Sequence, residues 1–127
     1  MIEIRKDGRP NIPADVTVAQ WTYWGQPDEC SEIAPGLYWV QTPSHGGFIV
    51  AQERLKKMPP MLLTVGYGAH IGCFEEDCAW SLPVLFFKDE YTAWVGEVKA
   101  ERAISDASDM VRSLYKQIHA AHPELLQ

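Results

Sequence analysis

Basic side chains are scarce in this 127-residue chain, with 11 Lys and Arg against 17 Asp and Glu, a formal net charge of −6. Duplex binding draws much of its affinity from Lys and Arg on phosphates, so direct nucleic-acid binding is not expected. Cysteine is also sparse. Cys30, Cys73 and Cys78 are an odd number that does not fit a disulfide framework, and reduced thiols are expected. No apolar run approaches the roughly 18–20 residues needed to span a bilayer, which excludes a membrane partner of that kind. The opening Met1-Ile2-Glu3-Ile4-Arg5-Lys6-Asp7 has no apolar stretch of signal-peptide type, which makes the cytoplasm the expected compartment.

What the chain does contain is material for a core. Hydrophobic residues make up 46%, with five Trp, five Tyr and four Phe, and the length suits one domain. Residues 1–14 carry Gly8, Pro10 and Pro13 without apolar periodicity and read as an irregular arm; residues 15–127 read as a single α+β domain. Val16 to Trp24 is β-branched and aromatic and predicts a strand, whereas Pro27 to Pro35 is polar and reads as a helical turn or a loop. Gly36–Thr42 and Gly47–Ala51 predict two strands joined by Pro43-Ser44-His45-Gly46, a central hairpin. Ala51–Met58 predicts a short helix ended by Pro59-Pro60, its Arg54-Leu55-Lys56-Lys57 forming a solvated basic face. Met61–Val65 is apolar but too short to tell helical turn from strand.

The glycines 66, 68 and 72 loosen the chain around Tyr67 and His70. A short helix is expected from Asp77 toward Phe87, with Asp77 as its cap and Pro83 limiting its length. The clearest element is C-terminal. Ser105 or Asp106 can cap a helix on which Ala107, Met110, Val111, Leu114, Tyr115 and Ile118 form one stripe, packed on the sheet. The expected architecture is a small antiparallel sheet with a central hairpin, packed against this amphipathic helix and shorter ones.

Three groupings could carry chemistry. Ser44 and His45 sit on a turn, where a nucleophile or base is exposed, although catalysis needs a second group within hydrogen-bond reach. The plainer alternative is that the turn is structural and His45 merely solvated. His70, Cys73 and Cys78 are a candidate Cys/His metal set, with Cys30 or His45 completing it; paired knuckle spacing is absent, so buried thiols are favoured over zinc and no cofactor is expected. Cys78 stands next to Glu75-Glu76-Asp77, which oppose a low thiol pKa. Glu75 and Glu76 with Asp89 and Glu90, if all project outward, make one negative patch suited to a basic groove on another protein. Trp21, Tyr23, Trp24, Tyr38 and Trp39 leave open an exposed aromatic patch and a homodimer.

The segment Gly36 to Phe48, containing Thr42-Pro43-Ser44-His45-Gly46-Gly47-Phe48, and the later Phe74-Glu75-Glu76-Asp77-Cys78-Ala79-Trp80 with Pro83 behind it resemble a family of domains of unknown function. The resemblance covers roughly Leu37 to Phe87. Members are encoded in phages, plasmids and bacterial genomic islands, so the resemblance implies a mobile-element protein inside a bacterial cell, with no catalytic residue to carry over. In size and charge the chain is similar to inhibitors of restriction or CRISPR systems. The expectation is therefore a small acidic protein that binds a host defence protein, a nuclease or effector subunit, through Glu75, Glu76, Asp89 and Glu90. The alternative is a small hydrolase or transferase using Ser44 or Cys78 with His45 or His70 as base, with or without zinc.

Overall fold

In the computed structural model, residues 29–43, 45–66 and 68–127 are described; the arm at 1–14 and the strand expected over 16–24 lie outside them. Four strands run in chain order across one antiparallel sheet: β1 (Glu29–Ala34), β2 (Leu37–Gln41), β3 (Gly46–Val50) and β4 (Cys73–Glu75). The β2–β3 hairpin has the expected form, with Gln41 opposite Gly46 and Trp39 opposite Phe48. The fold class is α+β, as expected.

β1 replaces the helical turn or loop expected before Pro35. Its sequence, Glu-Cys-Ser-Glu-Ile-Ala, has little apolar alternation, and pairing with β2 supplies what propensity does not. The turn between them needs Gly36 at φ 81°, a left-handed conformation that glycine adopts without steric cost. β4 was not foreseen either, being three residues long and dependent on β3 for its form.

Helices cover one face of this sheet. After α1 (Gln52–Leu55), a turn runs through buried Met58 before the prolines, and Met61–Val65 resolves as a 3-10 helix over Pro60–Thr64 with Leu62 buried. A second 3-10 turn, Ala69–Ile71, precedes β4. Then come α2 (Ser81–Phe86), α3 (Lys88–Val95), α4 (Glu97–Leu114) and α5 (Lys116–Ala121), closed by a 3-10 turn at Pro123–Leu126. Four single residues interrupt this helical run: Phe87, Gly96 at φ 91°, Tyr115 and His122.

Two sequence expectations change here. Asp77 does not cap α2, which begins four residues later at Ser81 and has no side-chain cap, while Asp77 is exposed in the preceding turn. Ser105 and Asp106 lie inside α4, whose start is Gly96-Glu97; Val98 near that end is 86% exposed, so the apolar stripe is not visible there. The stripe itself holds at Ala107, Val111 and Ile118, which are buried, but Leu114 points outward at 56% exposure and the helix breaks after it.

Sheet and helices share one core. Leu37, Phe48, Val50 and Phe74 from the sheet pack with Leu62, Leu82, Val84, Ala107 and Val111, with Trp39 and Tyr91 edge-on to Phe48 at ring distances of 5.0 and 6.0 Å. On the other sheet face Tyr38, Val40, Ile49 and Cys73 form a second buried cluster. Alternation along each strand sorts the side chains between these two clusters. Among the described residues, no helix is long and apolar enough to cross a membrane.

Candidate functional site

β3 and β4 bring the two motif segments together. Gly47 lies opposite Glu75 and Phe48 opposite Phe74, so the hairpin turn and the acidic run after β4 share one corner of the sheet. There His45 Nδ1 lies 3.1 Å from Glu75 Oε1, with the two side chains 45% and 31% exposed. His45 is thus not merely solvated, as the plainer sequence reading had it. Its ring is oriented by a carboxylate thirty residues away. In the neutral ring a proton on Nδ1 directed at Glu75 leaves Nε2 as the acceptor.

The backbone beneath His45 is tightly held. Its carbonyl accepts hydrogen bonds from the Thr42 N–H at 2.6 Å and the Thr42 hydroxyl at 2.8 Å, while its own N–H donates to Thr42 Oγ1 at 3.0 Å. The Glu76 N–H donates to the Gly46 carbonyl at 2.8 Å. Two flexible side chains overlie Gly46. A Cβ there would sit 2.6 Å from Gln41 Oε1 and 2.8 Å from Glu76 Oε2, because both side chains close over it. Glu76 and Asp77 are exposed, and the turn that carries them is fastened by Trp80 N–H on the Glu75 carbonyl and the Ser81 hydroxyl on the Cys78 carbonyl.

The other candidates do not join this corner. Ser44 lies outside the described residues. His70 sits exposed on the 3-10 turn before Gly72, at the Val50 end of the β3–β4 ladder, whereas His45 is at the Gly46 end, about 13 Å away at four strand residues. Cys78 follows β4 and makes no hydrogen bond to either histidine among the described residues; its charge, after burial, is a cause of the raised Tyr115 phenol pKa. Cys73 is buried in the sheet's second cluster, where burial pushes its thiol up to about 12, and burial likewise raises Cys30 to about 11. None of the three cysteines forms a disulfide. Among the described residues, no three of His, Cys, Asp and Glu are grouped so as to hold a metal ion, so the zinc arrangement of His70, Cys73 and Cys78 is not formed.

The four acids expected to make one patch stand on different elements. Glu75 and Glu76 close β4 and the turn after it, while Asp89 and Glu90 begin α3, which touches β1 and sets Tyr91 edge-on to Phe48 of β3. Glu90 is also neutralised. Arg54 Nη1 and Nη2 donate to its two oxygens at 2.5 and 2.7 Å, and this fork holds the Glu90 carboxyl below its ordinary value. Arg54 departs from the solvated basic face expected of α1: its Nε donates to the Pro35 carbonyl at 2.7 Å and its guanidinium lies 5.1 Å over the Phe87 ring. Lys56 and Lys57 alone remain exposed as expected.

Neither the groove of about 320 Å³ between Met61–Val65 and Leu114–Ile118 nor that of about 370 Å³ along Leu85–Glu90 includes His45, Glu75 or Glu76. Sequence reasoning missed the His45–Glu75 pair because nothing local registers β4 against β3; the only signal was that both residues fall within the two motif segments. No curated protein and no solved structure matches the chain. A family model described as a domain of unknown function (DUF7007) matches residues 17–125, nearly the whole length and both motif segments, and the chain belongs to that family.

Proposed function

We propose that this domain acts by protein–protein binding, presenting the acidic hairpin corner to a basic groove on a host defence protein of a bacterium, a nuclease or effector subunit that otherwise holds nucleic acid. The observation that carries this reading is the exposure of Glu76 and Asp77 on a turn whose backbone is held by hydrogen bonds to Gly46 and Glu75. A turn backbone held in this way loses little conformational freedom on docking, and a net charge of −6 steers the molecule toward a basic partner. Asp89 and Glu90 are not part of the contact. They begin α3, and Glu90 is satisfied by Arg54.

Plating of phage on bacteria that carry an active restriction or CRISPR system, with and without this protein expressed, tests the reading. Plating efficiency rises in its presence, and the doubly reversed variant Glu76→Lys/Asp77→Lys loses the rise, whereas Asp89→Lys retains it. Unchanged plating against every system tried would sink the proposal.

A second reading, a small hydrolase with His45 as general base, draws on the His45–Glu75 pair, since a carboxylate on Nδ1 is the half of a catalytic unit that orients the base. Among the described residues no nucleophile completes it. His45→Gln separates the two readings, because it abolishes any such hydrolysis and leaves the salt-dependent docking of Glu76 and Asp77 in place.

A further inference from the structure

The amphipathic stripe of α4 runs on in sequence through Tyr115 to Ile118, and no proline or glycine lies between Ser113 and His119. Helix interruptions ordinarily have such a cause. Here, instead, the Ser113 hydroxyl bonds back to the Asp109 and Met110 carbonyls, and Tyr115 leaves the helix at φ −116°, ψ 54° before α5 restarts at Lys116. The break faces the 3-10 helix Pro60–Thr64. Between them lies the open groove of about 320 Å³, within the range of about 300–1,000 Å³ that small-molecule sites occupy.

Its walls are chemically uneven. Met61 and Leu114, exposed at 36% and 56%, are two of the four exposed large hydrophobic side chains among the described residues, and both line this groove. Val65 and Ile118 behind them are buried. The polar groups are mostly donors without partners: Lys116 has no carboxylate within ion-pair reach among the described residues, and the half-buried Tyr115 hydroxyl has no hydrogen-bond partner there either. The hydroxyl of Thr64 is already committed to the Met61 carbonyl at 2.7 Å. The Lys116 ammonium beside this apolar wall matches a ligand with an apolar body and one anionic end.

We propose that this groove binds a small amphiphilic carboxylate, its alkyl or aryl body against Met61, Val65 and Leu114 and its carboxylate at Lys116, with the Tyr115 hydroxyl as a second donor. The site is separate from the acidic corner and does not depend on the function proposed for it. Octanoate below its micellar concentration is the probe, titrated into the isotope-labelled protein and followed by amide NMR, with 1-octanol as the uncharged counterpart. The expected result is saturable shifts confined to residues 61–65 and 114–118, with octanoate weakened several-fold by Lys116→Gln and octanol unaffected by that change. Four outcomes overturn the proposal. These are no saturable shift, shifts spread over the sheet, octanoate binding indifferent to Lys116→Gln, or shifts at the same amides that follow protein concentration alone, which would assign the groove to a second copy of the chain.

Discussion

Two charged pairs tie distant parts of this chain together, and their surroundings give them opposite characters. His45–Glu75 joins the hairpin turn to the end of β4 in a setting open to water on both sides. Arg54–Glu90 joins α1 to α3 with the arginine side chain only 17% exposed, forked on the carboxylate, stacked on Phe87 and bonded to the Pro35 carbonyl. One corner is braced and its charge consumed. The other is oriented and its charge displayed. The lesson is that the acidic residues of this protein cannot be counted as a single surface property, since position decides which of them a partner would feel.

If that contrast is correct, Arg54→Met has the largest effect. It removes a bidentate pair, a bond to a backbone carbonyl and a cation–π contact at once, and a loss of about 2–3 kcal/mol of unfolding free energy by urea denaturation is expected. A loss no greater than that of a surface lysine change would erase the distinction between the corners. Acid titration gives the next effect. The Glu90 carboxyl is held below its ordinary 4.5 by the Arg54 hydrogen bonds, so the folded state favours its ionised form. Its contribution is present above that ordinary value and is lost as pH falls through the depressed one, and Glu90→Gln therefore flattens the low-pH arm of a stability-versus-pH curve. Smallest is Glu75→Gln, expected to cost below about 1 kcal/mol and less as salt rises, because both partners are solvated. The Cys73 thiol, two residues before Glu75 and raised by burial, provides a local readout: its labelling at mildly alkaline pH should quicken modestly in Glu75→Gln without a matching change in global stability.

How much of this was legible in sequence depends on where each residue's partner lies. The β2–β3 hairpin was readable because its alternation and its turn residues are contiguous. β1 was not, since Glu29, Ser31 and Glu32 are exposed on an edge strand whose form comes from β2. The first turn of α4 was hidden because Glu97, Val98 and Lys99 face water, and the stripe that follows begins with the small side chains Ala100 and Ala103, which mark a face weakly in sequence. Both charged pairs span thirty or more residues, and no local pattern specifies such contacts. Glu75 and Glu76 were nonetheless legible as one acidic run, while the meeting of Glu75 with His45 required the sheet order.

That sheet order also bears on how the chain reaches its fold. Because strand order follows chain order, each pairing closes a loop between consecutive strands: two residues separate β1 from β2, four separate β2 from β3, and 22 separate β3 from β4. The last closure costs about 1.5 kcal/mol more in chain entropy than the hairpin before it. The corner where the two motif segments meet is thus assembled late, on a hairpin already formed, and it depends on the α1 and 3-10 segments having packed in between. Sequence changes in residues 51–72, far from His45 and Glu75, would therefore slow the appearance of that corner while leaving its final geometry as it is.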